Sequence, residues 1–122
     1  MHFAMMWTVK PDAVDEVKQA FADYGRPDHE VKDDEGNVKG RLLGTQVFMK
    51  ENVVVRVIEV DGDFAAVAAH MGRQPAIRDL EDKLTPLLEE ERDMSTPEGA
   101  RAFFMKSAME CLIDRRHDDP DQ

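Results

Sequence analysis

Asn52-Val53-Val54-Val55-Arg56-Val57-Ile58-Glu59-Val60 is apolar on both of its alternating sides. That pattern reads as a strand covered on two faces. Just upstream, Lys50-Glu51-Asn52 is a short connection to a second extended run, from Arg41 to about Met49. The two runs predict an antiparallel hairpin. Residues 25–40 before it are polar, and Asp33-Asp34-Glu35-Gly36-Asn37 reads as a tight turn between two extended arms. Further back, Asp12 can cap a helix with apolar positions Val14, Val17, Phe21 and Tyr24, closed by Gly25. Residues 2–9, apolar from Phe3 to Val9 and stopped by Pro11, supply a first strand.

Downstream, Asp61-Gly62-Asp63 opens a second helix with Phe64, Val67, Ala68 and Met71 on one side. It is interrupted at Gly72-Arg73-Gln74-Pro75, and helical spacing resumes through Ile77, Leu80 and Leu84 to Pro86. Ser95-Thr96-Pro97-Glu98 is a helix start. Residues 100–113 carry two patterns. Ala100, Phe103, Phe104, Ala108, Cys111 and Leu112 fit a helix, whereas Met105, Ser107, Met109, Cys111 and Ile113 alternate as in a strand. A strand there would cover an open sheet edge, so we expect a short helix near 97–103 and a strand near 104–113. The order βαββαβ predicts an α+β, ferredoxin-like domain over residues 1–113, with a charged tail at 114–122. Two helices cover one face of such a sheet. The second apolar face then predicts a homodimer packed through its sheets, in the manner of a dimeric α/β-barrel.

The 122 residues include 26 acidic and 16 basic side chains, a net charge of −10. Nucleic acid and anionic membrane surfaces are repelled by that charge and are excluded as partners. No segment nears the roughly 20 apolar residues of a membrane span, no basic leader is present, and Cys111 is the single cysteine. These features predict a soluble, cytoplasmic protein. A Gly-rich phosphate loop, a paired-cysteine site and a nucleophile elbow are all missing from the sequence. His2, His29, His70 and His117 are scattered, and the 33–37 turn lacks the alternating oxygen ligands of a calcium loop. Neither a metal nor a cofactor is expected.

Arg56 shares a strand face with Val54, Ile58 and Val60, where an unpaired charge is costly. It is either one half of a structural ion pair or a cation aimed into a pocket to hold an enolate or phenolate oxygen. Asp28 and His29 lie in the loop after the first helix, and an imidazole there suits proton transfer near neutral pH. Tyr24 at the end of that helix can offer a phenol. Trp7, Met5, Met6, Phe48 and Met49 either line an apolar cavity for a flat ligand or fill the core. His70 borders the apolar face of the second helix. Arg41 and Arg73 are surface residues by default.

Four stretches taken together resemble the SchA/CurD-like family: Met1-His2-Phe3-Ala4-Met5-Met6-Trp7, Val38-Lys39-Gly40-Arg41-Leu42-Leu43, Val54-Val55-Arg56-Val57-Ile58-Glu59-Val60 and Arg92-Asp93-Met94-Ser95-Thr96-Pro97-Glu98-Gly99. The resemblance runs from about residue 1 to residue 113 and implies a place in aromatic polyketide biosynthesis, of spore pigments or related antibiotics. Some members carry two copies of the domain. A weaker similarity, through Phe21-Ala22-Asp23-Tyr24-Gly25 and Val57-Ile58-Glu59, points to tetracenomycin-type polyketide cyclases, which are ferredoxin-like dimers. Arg41 is similar to the arginine at the start of their second strand. Those cyclases are expected to carry a His-Asp pair where this chain has Tyr24 and Gly25, and a His where it has Arg56.

The resemblance implies a pathway more than a reaction, and within it we expect a cofactor-free polyketide cyclase or aromatase. His29 with Asp28 would move protons, Arg56 or Arg41 would hold the oxyanion and Tyr24 would assist. Trp7, Met5, Phe48 and His70 would contact the polyketide. The alternatives are a cofactor-independent monooxygenase acting on an anthrone-like phenol and a non-catalytic partner of a polyketide synthase. Contact with synthase components is compatible with the acidic surface, although an acidic carrier protein would need a local basic patch.

Overall fold

The computed structural model describes residues 1–118, and the hairpin lies at the middle of their sheet. The strands are β1 (His2–Thr8), β2 (Glu30–Lys32), β3 (Val38–Lys50) and β4 (Val53–Gly62), all antiparallel, in the order β1-β4-β3-β2. The helices are α1 (Val14–Ala22), α2 (Phe64–Arg73), α3 (Pro75–Leu84) and α4 (Pro97–Ser107). This is the α+β ferredoxin-like layout, helices on one side of an antiparallel sheet.

Local chemistry explains most boundaries. Asp63 caps α2, its carboxylate accepting from the Ala66 N–H at 3.1 Å. Gln74 is extended (ψ 131°) and Pro75 begins α3, so the break at 72–75 falls where proline removes a helical N–H. Thr96 caps α4 through the Gly99 N–H at 3.0 Å. Gly62, at φ +87°, ends β4 where a Cβ would stand 2.5 Å from the Lys39 carbonyl oxygen, so only glycine fits. Asp12 does not cap α1 as expected. It lies inside a 3-10 turn, Pro11–Ala13, and Ala13 takes the cap position with no side-chain bond.

Side-chain alternation sorts the sheet into two faces. Met5, Trp7 and Val54 point to the helices and meet Val17, Ala20, Leu80, Leu84 and Leu88 in the main core. Val31, Val60 and Val67 form a second cluster, against which Phe3 and Phe64 pack. The other face carries Ala4 and Met6 of β1, Val53, Val55 and Val57 of β4, and Phe48 of β3. No helix among the described residues covers it, and Met6 and Phe48 are 47% and 60% exposed.

Two expectations need correction. The upstream arm of the hairpin starts at Val38 rather than Arg41, with a bulge at Leu43. The strand expected at 104–113 is absent among the described residues, because α4 runs on to Ser107. Phe103 and Phe104 both pack inward, Phe103 against Trp7 at 5.9 Å and Phe104 against Phe64 at 5.5 Å. Successive residues of a strand would face opposite ways, so only a helix lets both reach the core. After it, Ala108 makes one bridge with Met5, and the Met109 N–H donates to the Ala4 carbonyl at 2.8 Å. The fourth strand is instead β2, the first arm of the 33–37 turn, on the far edge beside β3. Of the tail, residues 119–122 lie outside the described residues.

A buried polar centre between sheet and helices

Arg56 sits opposite Met5 in the β1–β4 ladder and points into the helix side of the sheet, between Val54 and Ile58. A guanidinium placed there needs an anion and acceptors. Glu81 supplies them. On α3 it lies four residues after the buried Ile77 and next to the buried Leu80, so helical spacing turns it inward. Arg56 Nη1 donates to Glu81 Oε1 at 3.4 Å, with side chains 13% and 12% exposed.

A second guanidinium shares the same carboxylate. Arg92 Nη2 stands 2.7 Å from Glu81 Oε2, and the Arg92 side chain is 4% exposed. Its Nε donates to Thr85 Oγ1 at 3.2 Å and its Nη2 to the Glu81 carbonyl at 3.3 Å. Its carbon lies 4.5 Å from the centre of the Phe103 ring, a cation–π contact. Two cations and one carboxylate leave this centre with a net charge of +1. Burial draws the Arg92 guanidinium down from its ordinary value, Glu81 opposes that, and Arg56 adds to the lowering.

Tyr24 completes the centre from the end of α1. Burial pushes its phenol up, while the Arg56 charge and a hydrogen bond from Arg56 hold it down and Glu81 raises it. A phenol beside a guanidinium can accept from it and still offer its own proton to another acceptor. Three buried polar atoms in this region, Trp7 Nε1, Arg56 Nε and Glu81 Oε2, have no hydrogen-bond partner among the described residues, although Glu81 Oε2 forms the ion pair with Arg92.

The phenol's shift gives a pH dependence. A group whose folded pKa lies above its unfolded value binds more protons when folded, so stability falls as pH rises past the unfolded value. For Tyr24 the loss begins near the ordinary phenol value, about pH 10, and continues to the raised one. Urea midpoints between pH 9 and 11 are expected to fall more steeply for the wild type than for Tyr24→Phe.

The remaining sequence candidates lie apart from this centre. Asp28 and His29 are exposed. Asp28 meets His70 instead of His29: His70 Nε2 is 3.0 Å from the Asp28 carbonyl oxygen and 3.7 Å from its Oδ2. Gln74 joins them, its Nε2 3.2 Å from the same His70 nitrogen. Arg41, 43% exposed, pairs with Glu30 at 3.6 Å on the sheet edge. Met5 and Trp7 border Arg56 on the helix side, but Phe48 lies on the opposite face. Phe48 lines a cleft of about 200 Å³ with Lys18, Phe21, Val47, Met49 and Val54. A second cleft, of about 310 Å³, lies along α1 between Glu16 and Leu87. Neither cleft is lined by Arg56 or Arg92.

Sequence reasoning misses Glu81 and weighs Arg92 only as part of a motif. Glu81 is detectable as an acidic residue at i+4 from Ile77 on an otherwise apolar helix face.

Fold and centre define an α+β domain of the ferredoxin-like class with a charged, enclosed polar site. The chain belongs to the family described as SchA/CurD like domain, whose sequence model matches residues 1–116. It is 42% identical over 109 residues to polyketide synthase CurD of Streptomyces cyaneus and 42% identical to protein SchA of Streptomyces halstedii. A 42.8 kDa protein of the whiE locus of Streptomyces coelicolor is 38% identical. Each match covers 89% of this chain but only 28%, 27% and 26% of the relative, so the chain spans about a quarter of their length. Among solved structures, tetracenomycin F2 cyclase from Streptomyces glaucescens, a type-II polyketide cyclase, matches with a TM-score of 0.53 at 14% identity. That match covers 95% of this chain and 97% of the cyclase, and it concerns the fold alone. No helix among the described residues is long and apolar enough to cross a membrane.

Proposed function

We propose that this domain is a cofactor-free polyketide cyclase or aromatase working as a homodimer. The observation that carries the reading is Arg56, enclosed on the helix side of the sheet, electrostatically coupled to Tyr24 and sharing Glu81 with Arg92. A poly-β-keto chain already holds the acidic C–H groups and carbonyls for aldol closure. In that step a C–H proton between two carbonyls passes to water, the enolate carbon so formed attacks a ketone carbon, the carbonyl π pair moves to oxygen, and that oxygen takes a proton from Tyr24, which is reprotonated by water. Loss of water then makes the ring aromatic. A fixed guanidinium beside the developing oxyanion, away from bulk water, is the kind of group that lowers such a barrier. Arg56 holds the oxyanion and Tyr24 donates to it, while Met5 and Trp7 form the apolar wall. His29 and His70, beside Asp28, exchange protons with solvent, and Arg41 remains a rim residue. Membership of a family with a polyketide synthase relative supports the substrate class.

The uncovered sheet face supports the dimer. Val55 and Val57 lie at its centre, on the strand flanked by β1 and β3, with Met6 and Phe48 beside them. A second copy is the simplest cover for an apolar face of this extent, and Phe48 then belongs to the interface.

The test is a minimal polyketide synthase reaction run with and without this protein, in air and under nitrogen, with products resolved by mass. A new cyclised product under nitrogen supports the cyclase. A product that gains oxygen and forms only in air replaces it with a cofactor-independent monooxygenase. Unchanged products in both leave a non-catalytic synthase partner.

A further inference from the structure

We infer that the polar centre is a binding site for one oxyanion carried on a flat, apolar ligand, held by Arg56 and Arg92 together with the Trp7 indole N–H. The inference rests on the reading that the substrate binds on the helix side of the sheet, and it adds the charge that the substrate brings. Two guanidiniums share a single carboxylate, so one positive charge is buried without an internal counterion at this centre. Arg56 Nε and Trp7 Nε1 are buried donors that lack an acceptor among the described residues, as Glu81 Oε2, 2.7 Å from Arg92 Nη2, lacks a hydrogen-bond donor, and Trp7 is only 9% exposed. Buried donors without acceptors, beside an excess positive charge, suit a site that receives an anion. The flanking groups choose the body of the ligand: Trp7, Phe103 and Phe104 are aromatic, and Phe103 already stacks on the Arg92 guanidinium. A flat β-diketone enolate, an acidic phenolate or an aryl carboxylate meets both demands.

Because Arg92 is 4% exposed, a ligand must displace part of its cover, to which α4 contributes Phe103. That helix rests on the sheet through Phe103 on Trp7 and through Phe104, 6.4 Å from Phe3.

The test uses 2-naphthoate and its neutral counterpart 2-naphthamide in titration calorimetry, on the full chain and on variants whose fold is checked by circular dichroism. The wild type is expected to bind the carboxylate at least about tenfold more tightly than the amide, the scale of one hydrogen-bonded charge. Arg92→Met leaves a neutral Arg56–Glu81 pair and should lose the discrimination; Arg56→Met should do the same, and either variant suffices if the other fails to fold. Glu81→Gln removes the competing internal anion and should widen the discrimination. A merely structural arginine cluster would alter stability and leave the carboxylate-to-amide ratio unchanged. Equal affinities in the wild type, binding of neither probe, or discrimination that survives in Arg92→Met overturns the inference. The readout is binding, so its failure leaves the product assay intact, and a failed product assay leaves the charge discrimination measurable.

Discussion

Glu81→Gln is expected to cost about 3–5 kcal/mol of folding stability, the scale for removing one partner of a buried ion pair. Arg56→Met or Arg92→Met should cost clearly less. The asymmetry follows from the charge count. Glu81 is the carboxylate between two guanidiniums, at 3.4 Å from Arg56 and 2.7 Å from Arg92. Removing it leaves two buried cations facing each other, whereas removing either arginine leaves a neutral pair. Methionine keeps the apolar stem and adds no polar atom to satisfy. Urea denaturation of the three variants side by side checks this. If all three lose equal stability, the centre does not carry an excess positive charge.

Val57→Asp is expected to convert the protein from dimer to monomer. Val57 pairs with Ala4 on one side and Gln46 on the other, in the middle of the face that no described helix covers. In a two-fold interface the same residue is buried in both copies, so one substitution places two carboxylates in an apolar contact. Each costs several kcal/mol to desolvate, which opposes association. Light scattering after gel filtration should give twice the chain mass for the wild type and one chain mass for the variant. Circular dichroism should show an unaltered fold, because in the monomer that position faces water. A wild type that is itself monomeric removes the dimer from the proposal.

How far the sequence can be read depends on how many physical constraints coincide at each segment. Residues 52–60 are unambiguous because β-branched residues, length and apolarity on both faces all point to one answer. The break at 72–75 is equally plain, since Pro75 acts through the backbone and needs no tertiary context. Residues 104–113 mislead because their composition satisfies both periods. Packing of Phe103 and Phe104 against Trp7, Phe3 and Phe64 decides between them, and single-sequence periodicity carries no such information. At the site, Arg56 stands out as a charge on an apolar strand face, with both a structural and a functional reading. The structure supplies its partner, Glu81, and a second cation, Arg92, 36 residues further along the sequence. Neither can be paired with Arg56 before the helices are packed on the sheet. Asp28 and His29 illustrate the opposite case: neighbours in sequence, they do not pair, and Asp28 turns to His70 across the loop.

Arg56 holding the oxyanion is most directly tested by comparing the wild type with Arg56→Met under nitrogen in the minimal synthase reaction, following the rate of the cyclised product. Loss of an oxyanion donor in an enclosed site slows turnover by about 10²–10³-fold, and that drop is expected while the variant stays folded and dimeric. A folded Arg56→Met protein that forms the same product at the wild-type rate would contradict the assignment of catalysis to this centre.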